Sequence, residues 1–396
     1  MGKTPRASGE TKRLNPSDST SFNSPDAGRV AGLNRMLGSR LMTAAQKEKI
    51  AGPEEVVLIT GAAGFIGVNV AQSLVNLGYR NLRCLVRPSG NPAALERLGR
   101  NAPAGTKVEI LRGNLLSPAD CEAAVRGVAV IYHLAAGTGE KSYPDAFMNS
   151  VVTTRNLLEA AVRDGKVKRI ASISSFAVYS NRNKVKSGLL DETSPVEEDS
   201  KLRGEAYCYA KLKQDEIIQE YGVRQGLKYV ILRPGVVYGP GKASLSGRIG
   251  RDLGVFLHMG GGNPIPFTFV ENCADAIVLA GLVKGVEGEI FNIVDDDLPS
   301  SRTFLRNYKR EVRRFRSIYV PKFASYLLCY GWEKYSTWSR GQLPPVFNRL
   351  AWHAYYKGSR YSNQKLKDRL GWEPKVTMAE GMKRFFEACR QRRSNA

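Results

Sequence analysis

The chain has 396 residues, 42% of them apolar, enough to bury one large core or a core with a smaller lobe. No apolar run approaches the roughly 18 residues of a spanning helix, and residues 1–28 lack the apolar stretch of a signal peptide. The formal net charge of +22 sits at the ends, with +5 in residues 1–50 and +16 in residues 302–396, so any role on nucleic acid or membrane belongs to those ends and not to the nearly neutral middle.

Residues 1–50 are rich in Ser, Thr, Pro, Asn, Lys and Arg and read as a disordered basic arm, because they offer too little apolar surface to offset the entropy of ordering. Within it, Val30, Leu33, Met36, Leu37 and Leu41 fall at helical spacing and predict a short amphipathic helix lying on its own body. Six cysteines scattered without CxxC spacing and only three histidines predict no metal site, and free thiols fit a reducing cytoplasm.

From residue 54 the pattern alternates. Strands are predicted at 56–60, 82–86, 108–111, 129–134, 169–174 and 229–233, and helices near 65–77, 92–99, 118–126, 145–164 and 207–225. This pitch predicts an α/β fold, a doubly wound parallel sheet with helices on both faces, whose ligand sits outside the carboxyl ends of the strands. The body is placed at 51–300. A smaller C-terminal substrate-binding lobe is placed at 301–396, with 181–204 and 235–266 contributing.

At the first strand, Val56-Val57-Leu58-Ile59-Thr60 runs into glycines at 61, 64 and 67. Gly61 permits a tight turn, Gly64 lets backbone approach a diphosphate, and Gly67 allows close packing of the helix that follows. The free N–H groups at that helix start, over Ala63, Phe65 and Ile66, can hold phosphate oxygens. After the second strand, where a carboxylate would meet the ribose hydroxyls of NAD, the chain has Arg87, which leans toward NADP over NAD. Asn114 and Leu115 follow the third strand and are placed at the adenine. His133-Leu134-Ala135-Ala136 ends the fourth in small residues that leave room for the cofactor.

These pieces, with Asn149, Ser174-Ser175-Phe176-Ala177-Val178-Tyr179, Tyr207-Cys208-Tyr209-Ala210-Lys211 and Arg233-Pro234-Gly235-Val236-Val237-Tyr238-Gly239-Pro240, resemble an extended short-chain dehydrogenase/reductase over about residues 54–385. That superfamily includes the NAD-dependent epimerase/dehydratase proteins and the 3β-hydroxysteroid dehydrogenases. Tyr207 and Lys211, four apart on a helix, share a face, and an ammonium near the phenol favours phenolate. Tyr209, which also has a lysine four residues on, Lys213, is the nearby competitor. The resemblance implies Ser175, Tyr207 and Lys211 as the catalytic set, with Lys211 also on the nicotinamide ribose, and Ser174 as the rival for the serine role. It further implies Asn149 as an ordering group and Ser174, Pro234, Gly235 and Val237 as cofactor contacts. Phe176 and Ala177 stand where 4,6-dehydratases place an acid pair, which speaks against dehydration. The long segment 181–204 is expected to carry substrate contacts or a lid.

The reading is therefore a cytoplasmic NAD(P)-dependent oxidoreductase acting on a small molecule, with a nucleotide-sugar epimerase or reductase first. A 3β-hydroxysteroid-dehydrogenase-like or ketone reductase on an apolar alcohol is the alternative, and a non-catalytic dinucleotide sensor or scaffold is the reading of another class. The resemblance implies a homodimer through the helices near 145–164 and 207–225. In residues 302–316, Phe304, Tyr308, Val312 and Phe315 line one side of a predicted helix crowded by arginines. With the aromatic-rich stretch 323–332, it makes residues 302–332 a candidate for contact with an anionic membrane surface; nucleic acid is not expected.

Overall fold

In the computed structural model the described residues are 43–137, 142–182, 188–242, 247–340, 342–343 and 347–394. The short helix expected near 30–41 lies outside them. The strands are β1 Val56–Thr60, β2 Asn81–Val86, β3 Lys107–Arg112, β4 Val128–His133, β5 Arg169–Ile173, β6 Leu189–Leu190, β7 Tyr229–Pro234, β8 Val236–Tyr238, β9 Gly250–Asp252, β10 Phe256–His258, β11 Phe267–Phe269, β12 Ile290–Ile293, β13 Ser317–Tyr319 and β14 Arg360–Tyr361. Seven form one sheet in the order β3-β2-β1-β4-β5-β7-β12, every pair parallel.

The order reverses between β1 and β4, which fixes where a ligand crevice opens. Strands β4 and β5 are buried along their whole length, as expected for a sheet covered on both faces by helices. One covering helix, Val270–Leu282, is buried at nearly every position and packs against the helix Phe65–Asn76.

Three expectations change. Residues 43–50 belong to the body and not to a basic arm: the Ile50 N–H donates to the Leu282 carbonyl, and Lys49 bridges Val283. The helix expected over 302–316 is Ser301–Glu311. Beyond it the backbone extends into β13, which lies parallel to β10 and keeps Phe315 edge-on to Phe256 and Tyr308. The Gly260-Gly261 turn lies against the start of that helix, with Arg302 N–H donating to the Gly261 carbonyl.

The third change concerns the tail. The smaller lobe comprises β9, β10, β13 and the helices Ser301–Glu311, Lys322–Trp338 and Arg349–Tyr355. Residues 364–394 instead return to the main core, where Leu366, Leu370, Trp372, Phe385 and Phe386 are buried among residues of the central sheet and its helices. Asn272 makes the attachment. Its side chain exchanges hydrogen bonds with the Val376 backbone, and its carbonyl accepts from the Trp372 indole. Trp372→Ala is expected to lower stability by about 3–5 kcal/mol, read from the denaturant midpoint, because it empties a fully enclosed site in the shared core.

Candidate active site

The β1 turn has the geometry that its glycines predict. Gly61 has φ +67°, and a Cβ there would lie 2.9 Å from the Ala135 nitrogen, so the ends of β1 and β4 approach as closely as they do only with glycine at 61. A Cβ at Gly67 would meet the Gly61 carbonyl oxygen at 2.3 Å. Gly64 is exposed and caps the helix Phe65–Asn76 without a side-chain hydrogen bond, leaving the first N–H groups of that helix for an acceptor from outside. An uncrowded helix start beside a turn with no Cβ fits a dinucleotide diphosphate. Arg87 is exposed immediately after β2, on a loop whose Arg87, Pro88 and Gly90 carbonyls all accept from Arg112.

Behind the turn runs a buried polar chain that sequence reasoning missed. Thr60 Oγ1 lies 2.8 Å from His133 Nδ1, and His133 Nε2 lies 2.8 Å from Thr154 Oγ1 and 3.2 Å from Gln214 Nε2. Thr154 Oγ1 donates its proton to the Ser150 carbonyl, so it accepts from His133 Nε2–H, and Nδ1 accepts from the Thr60 hydroxyl, an assignment made from the partners; Gln214 Nε2 donates to the same Thr154 oxygen at 2.8 Å. Gln214 Oε1 in turn accepts from Lys211 Nζ at 2.7 Å. Burial and the Lys211 charge push His133 down to about 3, so it is neutral at ordinary pH. The chain joins the glycine turn to the helix Ala206–Gln225.

That helix carries the expected acid/base pair. Tyr207 is half-buried at its first turn and lines the same cleft as Ser175. Lys211 is buried, and its ammonium donates to the Ile173 carbonyl at 2.6 Å as well as to Gln214. Burial lowers its pKa to about 8, against the pull of Asp215. Burial raises the Tyr207 phenol above its usual value, and the neighbouring Ser175 side chain opposes that rise.

The two serines separate clearly. Ser174 donates to Asp215 at 2.9 Å, deep in the body, whereas Ser175 Oγ accepts the Ala177 N–H and reaches the cleft. Asp215 also pairs with Arg233 at 3.1 Å, and Arg233 lies over the Tyr179 ring. Burial pushes the Asp215 carboxyl up, and Arg233 and Ser174 hold it down. Asp215 follows Lys211 by four residues, so the shared helical face was a signal available in the sequence.

Ser175, Tyr207 and Gly235 line one cleft of about 600 Å³, together with Arg248, Arg251 and Tyr355 from the smaller lobe. Arg248 lies over Tyr355 at 5.0 Å and Arg251 over Phe347 at 4.9 Å. Asn149 sits in a π-turn, Met148–Val152, with its amide donating to the Asp145 carbonyl, and approaches Gly137 just after β4. Leu134 and Ala136 flank Ala135 at the crevice, each partly exposed. Asn114 is exposed, and its Oδ1 accepts from the Leu116 N–H.

Other expected contacts are drawn elsewhere. Leu115 and Val237 are buried in the apolar core, and the Leu115 carbonyl accepts from Asn156. The Gly235 N–H donates to the Ile293 carbonyl, and a Cβ there would collide with the Pro266 oxygen, so close packing of two backbones already requires glycine at 235. The described part of 181–204 is tied down and not lid-like. β6 pairs with β14, Glu192 accepts from the Asn292 N–H, and the buried Arg203 reaches the Ala177 carbonyl.

A family model described as the NAD dependent epimerase/dehydratase family matches residues 57–294. Cinnamoyl-CoA reductase 1 of Oryza sativa subsp. japonica is 32% identical over 194 residues, 48% of this chain, and the match spans about half (55%) of that protein. A 3-beta-hydroxysteroid dehydrogenase of Mycolicibacterium neoaurum is 24% identical over 343 residues, 82% of this chain and 89% of its own. The structure of UDP-glucuronic acid 4-epimerase from Bacillus cereus, in complex with UDP-glucuronic acid and NAD, superposes with a TM-score of 0.64 at 21% identity, covering 85% of this chain and 99% of that one. At that identity the likeness concerns the fold.

The polar chain makes a pH prediction. With a folded pKa near 3 and an ordinary value of 6.5, His133 binds its proton more readily in the unfolded chain, so its contribution to stability is whole above pH 6.5 and is lost as pH falls toward 3. The slope it adds is at most about 1.4 kcal/mol per pH unit. His133→Gln is expected to give a shallower loss of stability across that window than the unaltered protein, measured by denaturant titration at successive pH values.

Proposed function

Because that family model covers more than half of the chain, the protein belongs to the NAD dependent epimerase/dehydratase family, and we propose that it moves a hydride to or from a carbon of a nucleotide sugar, as an epimerase or reductase. Family membership makes it an enzyme of the NAD(P)-dependent oxidoreductase and epimerase kind. The observation that carries the finer reading is the cleft in which Ser175 and Tyr207 share walls with Arg248 and Arg251. Guanidinium groups laid on aromatic rings are fixed in orientation and suit the oxygens of a diphosphate, which would anchor the sugar with its carbon at the phenol.

A bound nicotinamide supplies the hydride acceptor or donor. The protein's part is to handle the proton. Tyr207, kept neutral at ordinary pH by burial, holds a proton at its phenol oxygen and passes it to a substrate carbonyl oxygen, or takes one from a hydroxyl in the reverse direction. Ser175, whose Oγ accepts from Ala177, has its own proton left for that same oxygen. Lys211 has two donors committed to Ile173 and Gln214, which leaves its third for the nicotinamide ribose. Reduction requires the protonated phenol, so its rate should hold through neutral pH and fall only as pH rises through the elevated phenol pKa, whereas oxidation should rise with pH.

A second reading, reduction of an uncharged ketone or oxidation of an apolar alcohol, is favoured by the hydroxysteroid dehydrogenase match along most of the chain. One pair of variants separates the two. Tyr207→Phe should lower kcat by about 10²–10⁴-fold with either substrate. Arg251→Ala should raise KM for a UDP-sugar by about tenfold or more while leaving an uncharged ketone unaffected, and equal KM values for the UDP-sugar would remove the nucleotide-sugar reading. The cofactor is read as NADP from Arg87 at the end of β2. Arg87→Glu should shift the ratio of kcat/KM values toward NAD by about tenfold or more, and an unchanged ratio would count against that choice.

A further inference from the structure

We propose that the outward face of the helix Lys322–Trp338 docks on the surface of an anionic lipid bilayer. The helix is inverted relative to a helix that completes a water-soluble core. Its buried residues are Ser325, Cys329 and Ser336, all small; Tyr326 and Trp332 are partly buried against Trp352 and Phe347, and its other large apolar side chains point out. Phe323 is 71% exposed, Leu327 59%, Leu328 62% and Trp338 77%. Phe323, Leu327, Tyr330 and Trp338 recur at helical spacing and so form one stripe, and Tyr335 stacks on Trp338 beside it. Among the described residues, 8 of the 14 exposed large apolar side chains fall between Ile318 and Trp338, so the exposure is concentrated in one segment of the chain and not scattered along it. No helix among the described residues is long and apolar enough to cross a membrane, and a one-sided stripe of this kind suits the interface.

Charge selects the occupant. Between residues 313 and 340 the cations are Arg313, Arg314, Arg316, Lys322, Lys334 and Arg340, all exposed, and the single acid, Glu333, is paired with Arg349. A second copy of this chain laid on the same patch would bring a like-charged border against it, and a neutral bilayer would leave the cations without counter-charge. An anionic lipid surface takes the apolar stripe into its headgroup boundary and neutralises the rim. The aromatic rings suit that boundary, being apolar in body and polar at one edge.

The test is sedimentation of the full chain with vesicles of equimolar phosphatidylglycerol and phosphatidylcholine, beside vesicles of phosphatidylcholine alone. The protein should pellet with the anionic vesicles at low salt, and the bound fraction should drop as salt screens the rim. The double variant Phe323→Asp with Leu327→Asp, and separately Lys322→Glu with Arg340→Glu, should each weaken binding by about tenfold or more while keeping the circular dichroism of the unaltered protein. In the unaltered protein, brominated anionic lipid should quench tryptophan emission, and Trp338→Phe should remove most of that quenching, a readout that needs no destabilising change. Failure to pellet, equal binding to neutral and anionic vesicles, or full binding by the aspartate variant would overturn the proposal. A concentration-dependent dimer that the aspartate variant abolishes, with no vesicle binding, would overturn it too and assign the face to a second copy.

Discussion

The candidate site depends on how the helix Ala206–Gln225 is fastened to the sheet. Lys211 and, one turn along, the adjacent Gln214 and Asp215 do this from beneath: Lys211 donates to the end of β5, Gln214 meets His133 at the end of β4, and Asp215 pairs with Arg233 at the end of β7. These groups are buried, so the ion pair carries a desolvation cost that its attraction only roughly offsets. Its value lies in register. One turn earlier on the same helix stands Tyr207, and three fixed points beneath allow its phenol little choice of where to meet Ser175.

The same fastening couples the crevice beside the glycine turn to Tyr207. Thr60 precedes the glycine turn and ends a chain of hydrogen bonds that reaches Lys211 through His133, Thr154 and Gln214. A neutral histidine can both donate and accept, which is what a relay between two threonine hydroxyls requires. The smaller lobe closes the cleft from the other side with arginines braced on aromatic rings, and its own placement is held by the tail that returns to the main core through Asn272 and Trp372. The outer side of that lobe follows a different rule, exposing Phe323, Leu327 and Trp338 where a lobe built only to fold would bury them.

Local pattern carried the central fold. Strand-helix alternation, the glycines at 61, 64 and 67 and the spacing of Tyr207 and Lys211 are properties of neighbouring residues, and the structure keeps each of them within a residue or two. The misplacements arose where a contact between distant segments decided the outcome. The backbone after Glu311 extends because β10 offers it an edge, and residues 43–50 are ordered because Leu282 and Val283 offer theirs. Neither partner is visible from the segment itself.

What the sequence by itself determined was therefore the class of fold and the residue types of the site, since periodicity and motif spacing are set by one helix or one strand at a time. Only the tertiary structure decided that Ser175 and not Ser174 reaches the cleft, that Leu115 and Val237 face the core, and that Asp215, Gln214 and His133 hold the arrangement together. Each of those outcomes turns on which of two adjacent polar or apolar groups finds its partner across the sheet. Such pairing is fixed by packing and by the cost of leaving a buried polar group unmatched, and no local pattern encodes it.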